Sequence, residues 1–172
     1  MSWACGRGYV EIVNELLQSR NIKVNLQDQN SSTPLLWAAR KGNLDIVKAL
    51  IQKEADPNIA GMYAITPLIA SIKFGHSHIA LFLADLPNIN LNHIDKDGNT
   101  ALQISCKNGQ ENVVLHLLEK GAYINMPNLK GDNLLITAVK GGHKQIIDEL
   151  LNRHVASTLD RYLKLIFTFD HL

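Results

Sequence analysis

The chain has 172 residues, 46% hydrophobic and 19% charged, with a formal net charge of +1. So small a charge supplies little of the phosphate attraction that drives nucleic-acid binding. No apolar run approaches the ~18 residues of a membrane helix, and the first 25 residues form an amphipathic pattern rather than a signal peptide, so the expectation is a cytoplasmic segment that does not insert into a membrane.

A step of 33 or 34 residues organises everything that follows. Thr33, Thr66, Thr100 and Asn133 are 33, 34 and 33 positions apart, and Gly8, Gly42, Gly75, Gly109 and Gly142 keep the same step. Four residues after each glycine comes an apolar pair: Ile12-Val13, Ile46-Val47, Ile79-Ala80, Val113-Val114 and Ile146-Ile147. Self-similarity at this period signals a solenoid, in which each unit buries its apolar face by stacking on its neighbours. In chain order the units are 1–26 (helices only), 27–59, 60–93, 94–126 and 127–155, with 156–172 as a tail. Ala4 aligns with Ala38, so the first unit lacks its loop and cap, and a fragment of a larger protein is expected.

One unit can be read residue by residue. Thr33 is a good N-cap, and Pro34 follows at the helical position where a missing N–H matters least; Thr66-Pro67 repeats the device. The glycines stand where a short helix must end in a left-handed residue. A second helix follows, with Ile46, Val47, Leu50 and Ile51 forming one apolar face, the core seam. The connecting stretches 27–32, 60–65, 94–99 and 127–132 should be hairpin tips, and Asp97-Gly98 and Lys130-Gly131 are turn signals within them.

These features resemble the ankyrin-repeat family. Thr33-Pro34-Leu35-Leu36-Trp37-Ala38-Ala39 and Thr66-Pro67-Leu68 carry the core of its signature, and Ala55-Asp56-Pro57-Asn58 completes one unit; the likeness covers roughly residues 1 to 151. It implies an all-α solenoid of helix-turn-helix units joined by β-hairpin-like loops. Two departures stand out. The histidine that usually follows Thr-Pro-Leu is replaced by Leu36, Ile69, Gln103 and Ile136, so its hydrogen bonds to neighbouring loops should be lost, and Asn133-Leu134 replaces Thr-Pro in the fifth unit, which should loosen it.

No constellation of residues points to catalysis, metal binding or a cofactor. His76 and His78 have no cysteine or carboxylate at metal-ligand spacing, and His76 and His143 follow helix-ending glycines, where the family uses histidine structurally. Gly6-Arg7-Gly8 begins a phosphate-loop pattern, but Glu11 holds its final glycine position and no strand precedes it. Cys5 and Cys106 share one slot of the first and fourth units; at ~10 Å per stacked helix they lie on the order of 30 Å apart, too far for a disulfide. The chain is therefore expected not to be an enzyme.

What remains is surface recognition. The resemblance implies that proteins bind the concave face made by hairpin tips and first helices. On this chain that face carries Arg40, Lys73, Lys107 and Lys140, one cation per unit, with Arg7 and Lys41 beside them. Such a ladder would attract a protein partner with an acidic segment; a cation in a last turn also offsets the helix dipole by ~0.3 to 1 kcal/mol, and the two roles are compatible. Tyr63 and Phe74 are expected to make contact with the partner, while Trp3 and Trp37 are expected mainly to pack between helices, with Trp37 a further contact candidate.

The strings TPLLWAARKG (33–42), DKDGNTAL (95–102) and GDNLLITAVKGGH (131–143) further resemble the ankyrin-rich membrane-spanning scaffolds known as kinase-D-interacting substrates. That likeness implies the cytoplasmic arm of a membrane-associated signalling scaffold. Two alternatives stay open: a target-selecting arm of a larger enzyme or NTPase-bearing membrane protein, and a soluble inhibitor of the ankyrin type. In the tail, Leu159, Tyr162, Leu163, Ile166 and Phe169 show near-helical apolar spacing, so 156–172 is read as a capping helix over the fifth unit, with an unrelated tail as the alternative.

Overall fold

The computed structural model describes residues 1–153, so the cap expected of residues 156–172 lies outside the described residues. The helices are α1 (Ser2–Arg7), α2 (Val10–Leu17), α3 (Pro34–Lys41), α4 (Leu44–Gln52), α5 (Pro67–Lys73), α6 (Ser77–Ala84), α7 (Ala101–Lys107), α8 (Glu111–Glu119) and α9 (Leu134–Gly141). Residues 144–153 are also helical, and a single 3-10 turn covers Met62–Ala64.

Local chemistry sets where these helices start and stop. The Thr33 hydroxyl accepts from the Leu36 amide at 3.1 Å and that of Thr66 from Ile69 at 3.3 Å, each with proline as the first helical residue. Thr100 and Gln103 form a reciprocal capping box. Asn133 caps α9 in the same way, its side-chain oxygen accepting from the Ile136 amide at 2.9 Å, so the loss of Thr-Pro does not remove the cap. Gly42 closes α3 at φ 84°, a left-handed conformation that favours glycine. A Cβ there would also stand 2.7 Å from the His76 ring, whose Nε2–H reaches the Arg40 carbonyl at 3.2 Å.

That histidine is one rung of a repeated latch. Asn43 donates to the Cys5 carbonyl at 3.0 Å, and His143 donates to that of Lys107 at 3.1 Å. Each rung reaches a carbonyl in the last turn of the preceding unit's first helix, where backbone partners run out. Asparagines tie the other end: Asn25, Asn58 and Asn92 accept from the amides of Asp56, Asn90 and Tyr123 in the next unit at 2.9, 2.8 and 2.8 Å.

First helices pack in a row, α1 on α3, α3 on α5, α5 on α7 and α7 on α9, while α2, α4, α6 and α8 make a parallel second row. The core runs along the stack rather than around a centre, with Leu35, Ile46, Leu50, Leu68, Ile72, Ile79, Leu83, Leu102 and Leu117 fully buried. Each such side chain contributes about 1.5 to 3 kcal/mol by leaving water. The first apolar pair departs from the expected seam: Val13 and Leu17 are buried, but Ile12 and Leu16 stay exposed, since α2 packs chiefly on α1 and α4.

The tips close by one repeated hydrogen bond. Asp28 donates to the Ser32 carbonyl, Gly61 to Ile65, Asp95 to Asn99 and Asn128 to Asp132, all within 2.9 to 3.0 Å. They are turn tips with little ladder: among the described residues one antiparallel bridge forms, between Ile94 and Thr100. The expected loss of loop hydrogen bonds is corrected at one position. Gln103 donates to the carbonyls of Met126 and Asp132 at 2.9 and 3.1 Å, because its amide spans the same gap as an imidazole.

Candidate protein-interaction surface

The last turns of the first helices and the tips opposite them enclose three neighbouring concavities. One of about 480 Å³ brings Arg40, Tyr63, Lys73 and Phe74 together with Leu36, Met62 and Lys96. A second, about 670 Å³ and more open, gathers Arg7, Trp37 and Lys41 with Trp3 and Asp28. Lys107 and Lys140 share a third of about 220 Å³ with Asp97, Asp132 and Lys130. The nine candidate residues thus occupy one face but fall into separate groups.

Electrostatics distinguishes those groups, and the ladder is not a row of equivalent cations. Lys73 Nζ lies 3.1 Å from Asp95, whose side chain is fully buried. Lys140 donates to both oxygens of Asp132, at 2.7 and 2.6 Å. The tip acids stand within reach of those two lysines and neutralise them, while Lys107 has no acidic partner among the described residues. Arg40 is held differently: its guanidinium carbon sits 5.4 Å from the centre of the Trp37 ring and 4.9 Å from that of Phe74. Among the described residues it makes no ion pair, and it is exposed.

Aromatic placement follows the same division. Trp37 is partly buried and donates from its indole to Asp28 at 2.7 Å. Burial pushes the Asp28 carboxyl up, but the indole and the Ser32 and Asn30 amides outweigh it and hold it below the ordinary range. Trp3 corrects the expectation of packing between helices: it is 66% exposed, leaning edge-on against Tyr9 with Arg7 5.7 Å above its ring. Tyr63 and Phe74 are 59% and 49% exposed. Tyr63 is also left-handed, at φ 61° and ψ 25°, with Ala64 beside it at φ 56°; Ser31 and Glu54 share that conformation at φ 55° and 59°, but of the four only Tyr63 is aromatic.

Among the described residues no cysteine or histidine lines these three concavities. Cys5 and Cys106 are free thiols, wholly buried, and burial pushes them up to about 11 and about 12, so the reactive thiolate is suppressed. His76 and His78 have ring centres 6.3 Å apart, and among the described residues no group of three or more His, Cys, Asp or Glu side chains converges. No helix there is long and apolar enough to cross a membrane.

Sequence reasoning passed over the acids. Asp28 and Asp95 stand 67 positions apart, two repeat steps, and each organises a tip while binding a residue of a first helix, Trp37 or Lys73. That periodicity was a usable signal. Met62 and Lys96 carry none, since their importance comes from neighbouring tips meeting in space.

Stacked helix pairs that present tips and first helices on one face define a repeat module for recognising other proteins. The chain belongs to the ankyrin-repeat family: the model described as "Ankyrin repeats (3 copies)" matches residues 1–61 and again 60–128. It is 25% identical over 152 residues to human "Transient receptor potential cation channel subfamily A member 1", covering 88% of this chain and 14% of that protein. Over 154 residues it is 29% identical to "Ankyrin repeat and KH domain-containing protein mask-1" of Caenorhabditis elegans, covering 88% and 6%. "Palmitoyltransferase AKR1" of Lachancea kluyveri is 27% identical over 156 residues, covering 88% and 21%. The chain therefore spans a small part of the length of these relatives.

Proposed function

We propose that this chain is a non-catalytic scaffold that binds its protein partner on the first-helix face and tips, serving as the cytoplasmic arm of a membrane-associated signalling protein. The observation that carries it is the concavity joining Arg40, Tyr63, Lys73 and Phe74, where exposed aromatic rings meet positive charge on helices fixed by the stack. The membrane-associated part rests on the closer resemblance given by the strings at 33–42, 95–102 and 131–143. Photo-crosslinking residues placed at Tyr63 or Phe74 should capture the partner in cells, whereas one at the exposed Asp45 on α4 should not. Capture from Asp45 alone would place recognition on the second helices and defeat the reading.

A second reading has its own support in the palmitoyltransferase relative, of which this chain matches 21%. Here the repeats select targets for a catalytic region elsewhere in the same polypeptide. A full-length transcript encoding an enzyme or NTPase region would favour it, and the binding face would be the same.

A further inference from the structure

We propose that the concavity beside Tyr63 takes an extended acidic segment of the partner, with one bulky apolar side chain entering between Tyr63 and Phe74 and a flanking carboxylate on Arg40. The proposal rests on the protein-interaction reading and adds the chemistry of what is recognised.

Charge is the first argument. The side chains lining this concavity include Arg40, Lys73 and Lys96 and no carboxylate. Lys73 is already answered by buried Asp95, which leaves Arg40 and Lys96 as the charges a ligand meets. Arg40 is a prepared receptor: two rings restrict its guanidinium from the sides, so its N–H groups are positioned for an acceptor with less entropy left to lose. The neighbouring concavities differ in that each holds carboxylates, Asp97 and Asp132 in the one with Lys107 and Lys140, and Asp28 in the one with Arg7 and Lys41.

Apolar exposure is the second argument. Met62, Tyr63 and Phe74 are 52%, 59% and 49% exposed around the same opening. Tyr63 is kept there against its backbone preference, because a left-handed non-glycine residue is unfavourable and persists only where its surroundings enforce it. Its carbonyl accepts from the Lys96 amide at 3.0 Å, and Lys96 Nζ sits 4.6 Å from its ring centre. The ring is thereby fixed beside positive charge, the arrangement suited to an aromatic or long aliphatic side chain with an acid next to it.

The test uses the whole chain and fluorescein-labelled nonapeptides, read by fluorescence polarisation. The parent peptide has phenylalanine at its centre and two aspartates and two glutamates around it. Its counterparts replace the acids by asparagine and glutamine, or the phenylalanine by alanine. The parent should bind and each counterpart should lose roughly tenfold in affinity, as should the parent on Arg40→Gln protein, an exposed site whose change leaves the fold intact. Equal binding of the uncharged peptide, an unchanged affinity on Arg40→Gln, or no saturation by the parent would overturn the proposal. So would Arg40-dependent binding of a twelve-nucleotide polyuridine in place of the peptide, which would assign the face to nucleic acid. Crosslinking from Tyr63 alongside any of these failures would leave the protein-interaction reading standing and remove only the acidic-segment chemistry.

Discussion

The tips at 61–65 and 95–99 close with the same backbone hydrogen bond, yet one is relaxed and the other strained. In the second, Asp95 accepts from the amides of Asp97 and Asn99 at 3.0 and 2.9 Å, and the left-handed position falls on Gly98 at φ 77°. In the first, Gly61 stands where the aspartate would be, and Tyr63 and Ala64 carry the left-handed angles without glycine's freedom. A repeat protein has a ready solution for this turn and shows it one unit later. Ser31 takes the slot of Ala64 and Gly98 at φ 55°, so what sets the 61–65 tip apart is the second left-handed residue, Tyr63. A departure that costs stability marks a position shaped by something other than folding, and here it is the position that exposes an aromatic ring.

The largest effect should come from dismantling the relaxed tip. Asp95→Ala removes the acceptor for two backbone amides and the Asn99 side chain, and leaves Lys73 without its partner. Losing three hydrogen bonds to a buried carboxylate, together with its pairing to a half-exposed Lys73, costs about 3 kcal/mol, read as a lower midpoint in urea. A loss under ~1 kcal/mol would mean that the carboxylate does not organise the turn. Acid should reproduce part of it. Burial raises the Asp95 carboxyl, but the Asn99 amide, Lys73 and the Asp97 amide outweigh that and hold it below its ordinary value of 3.8. A carboxyl lowered on folding stabilises fully above the unfolded value, and that contribution disappears as pH falls through the folded one. Stability should therefore drop with acidification below the ordinary carboxylate range, and the drop should be shallower in Asp95→Asn; parallel acid limbs in both proteins would contradict it.

Gly98→Ala comes next. At φ 77° alanine is strained by about 1 kcal/mol, and its Cβ would lie 2.7 Å from the Leu129 amide nitrogen, which itself donates to the Asp97 carbonyl. Displacing that contact between adjacent tips adds at least as much, so the total is roughly 2 kcal/mol in thermal or chemical unfolding. A change within ~0.5 kcal/mol would show that the two tips are not mechanically joined.

Much of this was legible in the sequence, and the reasons are local. Thr33-Pro34, Thr66-Pro67 and the glycine ladder report conformations that each residue dictates for itself, so helix starts and stops followed directly. The apolar pairs reported the seam wherever both flanks were packed, and misled at Ile12 and Leu16 where one flank is open. Charge was the poorest guide: Arg40, Lys73, Lys107 and Lys140 looked alike because they share a repeat slot. Their differences come from Asp95, Asp132, Trp37 and Phe74, contributed by other turns of the chain. The strain at Tyr63 gave no sequence signal at all, since nothing in Met62-Tyr63-Ala64 announces a left-handed tip.

The smallest effect sharpens the comparison most. Tyr63→Gly gives the strained tip the residue that its backbone angles favour, relieving about 1 kcal/mol, while removing an exposed Lys96–ring contact gives back about 0.5. The variant should be more stable than the parent by about 0.5 kcal/mol and should bind the acidic phenylalanine peptide less well. Opposite signs for stability and binding are what a functional strain requires. A variant destabilised by more than ~1 kcal/mol would instead make the ring part of the scaffold, and the contrast between the two tips would then be one of folding alone.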